Sequence, residues 1–162
     1  MQSSRWRDVV KLVVSIVACQ GAGLVGSVFT FPSIGTWYAS LVKPPFNPPN
    51  WVFGPVWGTL YTLMGISAFL VWRHGLKDRR VRIALSIFLA QLILNSLWSI
   101  VFFGAHSLLG GLPIIVLLWV AILLCILTFW RISKAASALL IPYILWVSFA
   151  TVLNFSLWRL NL

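Results

Sequence analysis

The chain has 162 residues, 60% of them hydrophobic and 9% charged, and its 12 basic and two acidic side chains give a formal net charge of +10. A soluble domain carries about a quarter charged residues, so this composition excludes a soluble fold and indicates an integral membrane protein. A net charge of this size would suggest nucleic acid binding in a soluble chain, but here the basic residues lie in short segments between long apolar runs, which excludes that class.

Four uncharged runs separate the basic segments, at 12–42, 44–72, 83–130 and 135–158. A membrane-spanning helix needs about 20 apolar residues, so the first, second and fourth runs each accommodate one helix. The third run is too long for one helix and breaks at the glycines and proline of "GAHSLLGGLP", residues 104–113. We therefore predict an all-α membrane protein with a single domain over 1–162, a bundle of five transmembrane helices at roughly 10–31, 51–72, 82–103, 109–130 and 135–158.

The basic residues also predict how the chain is oriented in the membrane. With five spans, the N-terminus and the second and fourth connecting segments share one side. Ten of the 12 basic residues fall on that side, and only Lys43 and Arg159 fall on the other. Because basic residues are retained in cytoplasmic segments, we expect the N-terminus to be cytoplasmic, and the loop 32–50 and the C-terminus to lie outside.

Several motifs of soluble enzymes have no supporting context in this chain. "GAGLVG", residues 21–26, matches the dinucleotide pattern GxGxxG, but it lies inside an apolar helix and no acid occurs between Asp8 and Asp78. We interpret these small residues as a surface for close helix packing. The two carboxylates lie in polar segments, so no paired-acid mechanism is predicted, and neither is a metal site. The absence of charged residues inside the spans argues against an ion-driven transporter.

Three of the predicted helices place aromatic and amide side chains along one face. The residues are Trp57 and Tyr61 on the second helix, Gln91, Asn95, Trp98 and Phe102 on the third, and Tyr143, Trp146, Ala150 and Asn154 on the fifth. An amide in hydrocarbon is costly unless it faces a partner or a cavity, so we expect Asn95 and Asn154 to point inward. Ordinary helix packing explains any one of these residues equally well. Three such helices beside one aromatic loop favour a pocket for a flat apolar molecule.

The loop before the second helix combines prolines with large aromatic rings. Its prolines 44, 45, 48 and 49 restrict their own backbone and disfavour helix in the residue before each. We therefore expect a stiff, extended loop that lies over the pocket as a lid, with Trp37, Tyr38 and Trp51 at its opening. Lys43 is the only cation of the loop and could pair with an acidic group of a ligand.

Three segments of the chain resemble the TspO/translocator-protein family, also called tryptophan-rich sensory proteins or peripheral benzodiazepine receptors. They are "WYASLVKPPFNPPNWVFGPVWGTLY", "QLILNSLWSIVFFGA" and "LLIPYILWVSFATVLNFSLWRLN", beginning at Trp37, Gln91 and Leu139. The resemblance implies a five-helix bundle in the lipid bilayer, usually a homodimer, with a pocket that opens toward the first loop. It places the family's ligand-binding positions on Tyr38, Pro48, Trp57, Tyr61, Asn95, Trp98, Trp146 and Ala150.

The resemblance also implies what the protein binds. Family members bind porphyrins such as protoporphyrin IX and haem, so we expect a membrane receptor or sensor for porphyrins and related flat apolar ligands, with no obligatory cofactor. Some bacterial members are reported to degrade protoporphyrin IX in light, and such an enzyme would use Trp57 and Trp146 as catalytic residues. Transport of porphyrin or lipid is a further alternative. Animal members carry a sterol motif with a tyrosine where Phe155 stands here, which speaks against sterol recognition.

Overall fold

The computed structural model describes residues 2–162, and side chains from Arg5 onward. The helices are α1 (Gln2–Ile34), α2 (Trp37–Ser40), α3 (Phe53–Trp72), α4 (Arg79–Ser99), α5 (Leu108–Trp130), α6 (Lys134–Leu139) and α7 (Ile141–Leu160). A short 3-10 turn, Asn50–Val52, precedes α3, and a π-helical turn, Ile100–Gly104, continues α4. These elements form five spans that are long and apolar enough to cross a membrane, which confirms the predicted all-α membrane fold.

The first helix begins at Gln2, well before the predicted start near residue 10. Its 33 residues correspond to a length of about 50 Å, whereas the hydrocarbon layer of a bilayer is about 30 Å thick. The extra turns carry charged residues that hydropathy alone leaves out of the span. An ion pair of 3.7 Å between Asp8 and Arg73 holds this part of α1 against the end of α3.

The fourth span begins at a serine cap and not at the proline. The Oγ atom of Ser107 accepts a hydrogen bond of 3.0 Å from the backbone N–H of Gly110, so α5 starts at Leu108. Pro113 therefore lies inside the helix, more than one turn after its start. The hydroxyl of Ser107 satisfies a backbone donor of the first turn, and this decides the helix start.

The last span is broken where the sequence predicted one continuous helix. It consists of α6 and α7, which are separated at Leu140. Pro142 stands in the first turn of α7 and has no N–H to donate to the preceding turn, so the helical hydrogen bonds are interrupted there. A hydrogen bond of 2.7 Å from Ser67 of α3 to the backbone carbonyl of Ala136 anchors the short helix α6.

The five spans form a closed ring. Helix α1 packs against α3 and α4, α4 against α5, α5 against α7, and the last span returns to α3 through α6. The closest approach is between α1 and α3, where a Cβ atom added to Gly23 would lie 2.5 Å from the ring of Tyr61 and one added to Gly65 would lie 2.6 Å from the Cα atom of Ile16. Gly23 is thus a packing residue of the first span, as the sequence predicted.

Candidate functional site

A cavity of about 260 Å³ lies between the helices at the end of the bundle that carries α2. Its walls come from α1, from the start of α3, from the end of α4 with its π-helical turn, and from the part of α7 between Trp146 and Leu157. Helix α7 packs mainly on α5, so the ring leaves room between α7 and the pair α1 and α3. The cavity fills this room.

Two stacked aromatic rings of α3 form one wall. Trp57 and Tyr61 lie one turn apart, with ring centroids 5.5 Å apart and an interplanar angle of 29°. Trp57 also meets the ring of Tyr143 edge-on at 6.3 Å. Because Tyr143 is fully buried in α7, these contacts join the wall to the centre of the bundle.

A chain of hydrogen bonds continues inward from Tyr61. Its hydroxyl donates to Oδ1 of Asn95, and the Nδ2 atom of Asn95 donates to the hydroxyl of Tyr143 at 2.8 Å. That hydroxyl donates to Oε1 of Gln91 at 2.8 Å. All four side chains are buried, and within residues 2–162 the Nε2 atom of Gln91 has no hydrogen-bond acceptor. The chain fixes the orientation of Tyr61, and it confirms that Asn95 points inward.

The opposite wall is held by a second buried amide. The indole N–H of Trp98 donates to Oδ1 of Asn154 at 3.1 Å, and the Nδ2 atom of Asn154 donates to the carbonyl of Leu108 at 2.8 Å. Trp98 stacks on Phe102 with ring centroids 5.0 Å apart. Asn154 therefore links α4, α5 and α7 around the cavity, and it is buried, as predicted.

The loop between α2 and α3 is tied to Tyr38 of α2, which lines the cavity, whereas none of residues 41–49 does. Tyr38 is buried, and its hydroxyl donates to Oδ1 of Asn47 within the same loop. Burial raises the pKa of Tyr38 to about 12. The ammonium of Lys43 lies 5.1 Å above the Tyr38 ring and donates to the carbonyls of Ala39 and Leu41, each at 3.1 Å.

A residue that the sequence did not suggest ties this loop to the end of α7. The side chain of Asn161 accepts a hydrogen bond from the backbone N–H of Val42 and donates one to its carbonyl, both at 2.9 Å. These two hydrogen bonds have the pattern that a residue makes with its neighbour in a β-sheet. They join two positions that are 119 residues apart in the chain. The loop is therefore held by hydrogen bonds as well as by its prolines.

Most of the predicted site residues surround the cavity. Six of the eight line it, namely Tyr38, Trp57, Tyr61, Trp98, Trp146 and Ala150. Asn95 does not line the cavity, because it lies behind the ring of Tyr61 and holds its hydroxyl. Pro48 lies in the loop, outside the cavity lining. A role for any of these residues in ligand binding stays a prediction.

Two aromatic residues expected at the opening lie elsewhere. Trp51 is 75% exposed on the outer surface, because the 3-10 turn before α3 directs it away from the bundle. Trp37 stacks on His106 with ring centroids 4.6 Å apart and does not line the cavity. His106 is exposed, and its Nε2 atom lies 3.2 Å from the Oγ atom of Ser33.

The contribution of α1 to the cavity was missed by sequence analysis. This helix lines the cavity along one face with Gln20, Gly23, Leu24, Gly26, Ser27, Thr30, Phe31 and Ile34. The polar residues of this face recur at helical spacing inside an apolar run, which is a signal that could have been found. Gln20 donates from Nε2 to the carbonyl of Gly58 at 3.1 Å and to the hydroxyl of Thr62 at 2.9 Å.

The cavity opens sideways, between the halves of α1 and α3 that lie nearest α2. Leu24 and Phe31 line the cavity yet are 67% and 70% exposed, and Gly54 on the facing edge of α3 is also exposed. A Cβ atom added to Gly54 or Gly58 would meet nothing within 4 Å. The same two helices that touch at Gly23 and Gly65 therefore separate toward this end.

Together, the five spans and this cavity define a multi-pass membrane protein with an aromatic internal site. Residues 15–159 match the model of the TspO/MBR family. The chain belongs to this family.

Curated relatives match over nearly their whole length. The Tryptophan-rich protein TspO of Archaeoglobus fulgidus is 47% identical over 155 residues, which cover 95% of this chain and 99% of that protein. Protein CrtK of Rhodobacter capsulatus is 42% identical, over 91% of both chains. The human Translocator protein is 40% identical, over 85% of this chain and 82% of the human protein. The fold and the family both make this chain an integral, multi-pass membrane protein.

Proposed function

We propose that this protein is a membrane receptor or sensor that binds tetrapyrroles, such as protoporphyrin IX and haem, or related flat apolar molecules in the cavity. The observation that carries the proposal is the lining, in which Trp57, Tyr61, Trp98 and Trp146 come from three different helices and surround one space. A relative from Cereibacter sphaeroides is named Tryptophan-rich sensory protein, which agrees with a sensory role.

The rings suit a flat ligand because stacked and edge-on contacts between aromatic systems contribute about 0.5–1.5 kcal/mol each beyond the buried area. The cavity volume of about 260 Å³ is just below the usual range for small-molecule sites, about 300–1,000 Å³. A tetrapyrrole would therefore extend into the gap between α1 and α3 or displace the loop. An ammonium has three N–H donors, and Lys43 uses two on loop carbonyls, so a third could reach an acidic group of the ligand.

A titration with protoporphyrin IX tests the proposal, with quenching of protein tryptophan fluorescence as the measure of binding. We expect Trp57→Phe and Trp146→Phe each to weaken binding by up to about tenfold, because Phe retains most of the apolar area and the lost surface is worth about 1 kcal/mol. Trp130→Phe is the matched control, since Trp130 is 55% exposed at the far end of α5. Equal dissociation constants for all three variants and the parent protein would show that the cavity is not the binding site.

One arrangement favours a second function, the light-driven degradation of protoporphyrin IX, in which the porphyrin is oxidised and dissolved dioxygen is the oxidant. Trp57 and Trp146, the two predicted catalytic residues, both line the cavity, and an indole is much easier to oxidise than a phenyl ring. If the protein has this second function, Trp57→Phe and Trp146→Phe should lower the rate of porphyrin degradation far more than the affinity for protoporphyrin IX. Porphyrin absorbance under illumination separates the two functions, because a receptor alone produces no new product band.

A further inference from the structure

The end of the bundle opposite the cavity carries a dense group of cations, which we name the cationic end. Its residues are Arg5, Arg7, Lys11, Arg73, Lys77, Arg79, Arg80, Arg82, Arg131 and Lys134. The chain has only two acidic side chains, and both are already paired, Asp8 with Arg73 at 3.7 Å and Asp78 with Arg80 at 3.0 Å. The other eight cations therefore have no carboxylate side chain of this chain to neutralise them.

The first turns of α1 extend this charge beyond the apolar span. Arg5, Trp6 and Arg7 are all exposed, and the Trp6 side chain is 69% exposed. The ion pair between Asp8 and Arg73 holds this projecting turn beside α3. A large, mostly exposed indole flanked by two guanidinium groups matches the headgroup layer, where Trp and Arg are both favoured.

Two Trp–Lys pairs lie at the same end of the spans. The ammonium of Lys11 lies 6.0 Å from the ring centroid of Trp72, at the end of α3, and that of Lys134 lies 5.4 Å from the ring centroid of Trp130, at the end of α5. Rings at span ends mark the depth of the membrane interface. These contacts hold the two cations at that depth and not out in the aqueous phase.

We propose that the cationic end binds the headgroups of anionic phospholipids, with the turn Arg5–Trp6–Arg7 as its principal contact. Charge complementarity supplies the attraction, and the depth of the rings identifies the partner as a lipid. A soluble acidic protein would bind from the aqueous phase and would not contact indoles at the depth of the headgroups. The proposal is independent of any ligand in the cavity.

The test is calorimetric titration of the detergent-solubilised protein with short-chain phosphatidylglycerol and with phosphatidylcholine of the same chain length. We expect phosphatidylglycerol to bind more than about 25-fold more tightly than phosphatidylcholine in low salt, since two near-surface cations alone account for about that factor, and the preference to vanish at 1 M salt, where the Debye length is about 3 Å. Each near-surface cation is worth about fivefold in affinity, so the double variant Arg5→Gln/Arg7→Gln should bind phosphatidylglycerol about 25-fold more weakly, with phosphatidylcholine unchanged.

Three comparisons make the result specific. Arg159→Gln removes an exposed cation from the opposite end and should change phosphatidylglycerol binding less than twofold. The charge-preserving variant Arg5→Lys/Arg7→Lys should keep the preference, which separates loss of charge from loss of folding. Inorganic phosphate should not displace the lipid. Equal binding of the two lipids in low salt, equal losses in the Gln double variant and Arg159→Gln, displacement by phosphate, or tighter binding of polyglutamate than of phosphatidylglycerol would each overturn the proposal.

Discussion

Asn95 bonds to tyrosines of two different helices, Tyr61 of α3 and Tyr143 of α7. Both ends of its amide are satisfied, and the residue is buried at the centre of the ring of helices. Gln91 stands one turn earlier on α4 and accepts one hydrogen bond from Tyr143. These two amides have the same chemistry and differ in how many partners they hold, so they make a matched pair for substitution.

We predict that Asn95→Leu lowers the free energy of unfolding by about 1–3 kcal/mol, because it removes two hydrogen bonds between helices that are worth about 0.6–1.7 kcal/mol each. Gln91→Leu should cost less, since it removes one such bond and also one amide group that has no acceptor in the described residues. Thermal unfolding in detergent measures both. A larger loss of unfolding free energy for Gln91→Leu than for Asn95→Leu would contradict the assignment of two interhelical hydrogen bonds to Asn95 and one to Gln91.

At this scale, the sequence indicated which residues share a face but not how deep each one lies. The one-turn spacing of Trp57 and Tyr61 predicted that both side chains lie on one face of the helix. In the structure, both line the same wall of the cavity. Asn95 has the same periodicity as Trp98, yet it is covered by the Tyr61 ring while Trp98 lines the cavity. Depth depends on the size and direction of neighbouring side chains from other helices, and periodicity within one helix carries no such information.

The spans themselves could be predicted because their causes are local. Charged residues separate the apolar runs, and the length of each run fixes the number of helices. Single side chains decide two helix ends: Ser107 caps α5 at Leu108, within one residue of the predicted start, and Pro142 divides the last span, which was predicted as one helix. Both are known signals for helix ends, so these boundaries were readable from the sequence. The hydrogen bonds between Asn161 and Val42 could not be predicted from the sequence, because they join elements that are distant in the chain.

The connecting segments also allow a prediction of orientation. We expect the cationic end to face the cytoplasm, because Lys and Arg are retained on that side. A cysteine in place of Pro45, which is exposed in the loop before α3, should be labelled by an impermeant thiol reagent from outside intact cells. A cysteine in place of His74, exposed after α3, should be labelled only after the membrane is opened.

The native cysteines provide a low background for this experiment. Cys19 and Cys125 are each 1% exposed, so neither competes for the reagent. Labelling of the His74→Cys variant in intact cells, without labelling of Pro45→Cys, would reverse the orientation but leave the fold unchanged.

On the scale of the whole molecule, the ring of helices is tight at one end and open at the other. Helices α1 and α3 touch at Gly23 and Gly65 and then separate around the cavity, while α7 is held away from them by α5. A bundle stabilised only by packing would close this space, since an unfilled cavity forfeits contacts. The buried amides Asn95 and Asn154 hold its aromatic walls in place. We infer that the space is kept for a ligand.

The most direct measurement fills this space and asks whether binding is lost. Gly58 lines the cavity and a Cβ atom there would meet nothing within 4 Å, so Gly58→Leu starts a side chain in open space at the site. Gly21 has equally open surroundings but lies outside the cavity lining, which makes Gly21→Leu the matched control. Both substitutions raise helix propensity, so both variants should fold.

The quantity to measure is the dissociation constant for protoporphyrin IX of the two leucine variants and the parent protein in the same detergent. We predict that Gly58→Leu weakens binding more than tenfold, a loss above about 1.4 kcal/mol, because the added side chain occupies the space of the ligand. Gly21→Leu should bind as the parent protein does. Equal affinity of Gly58→Leu and Gly21→Leu would contradict the assignment of this cavity as the ligand site.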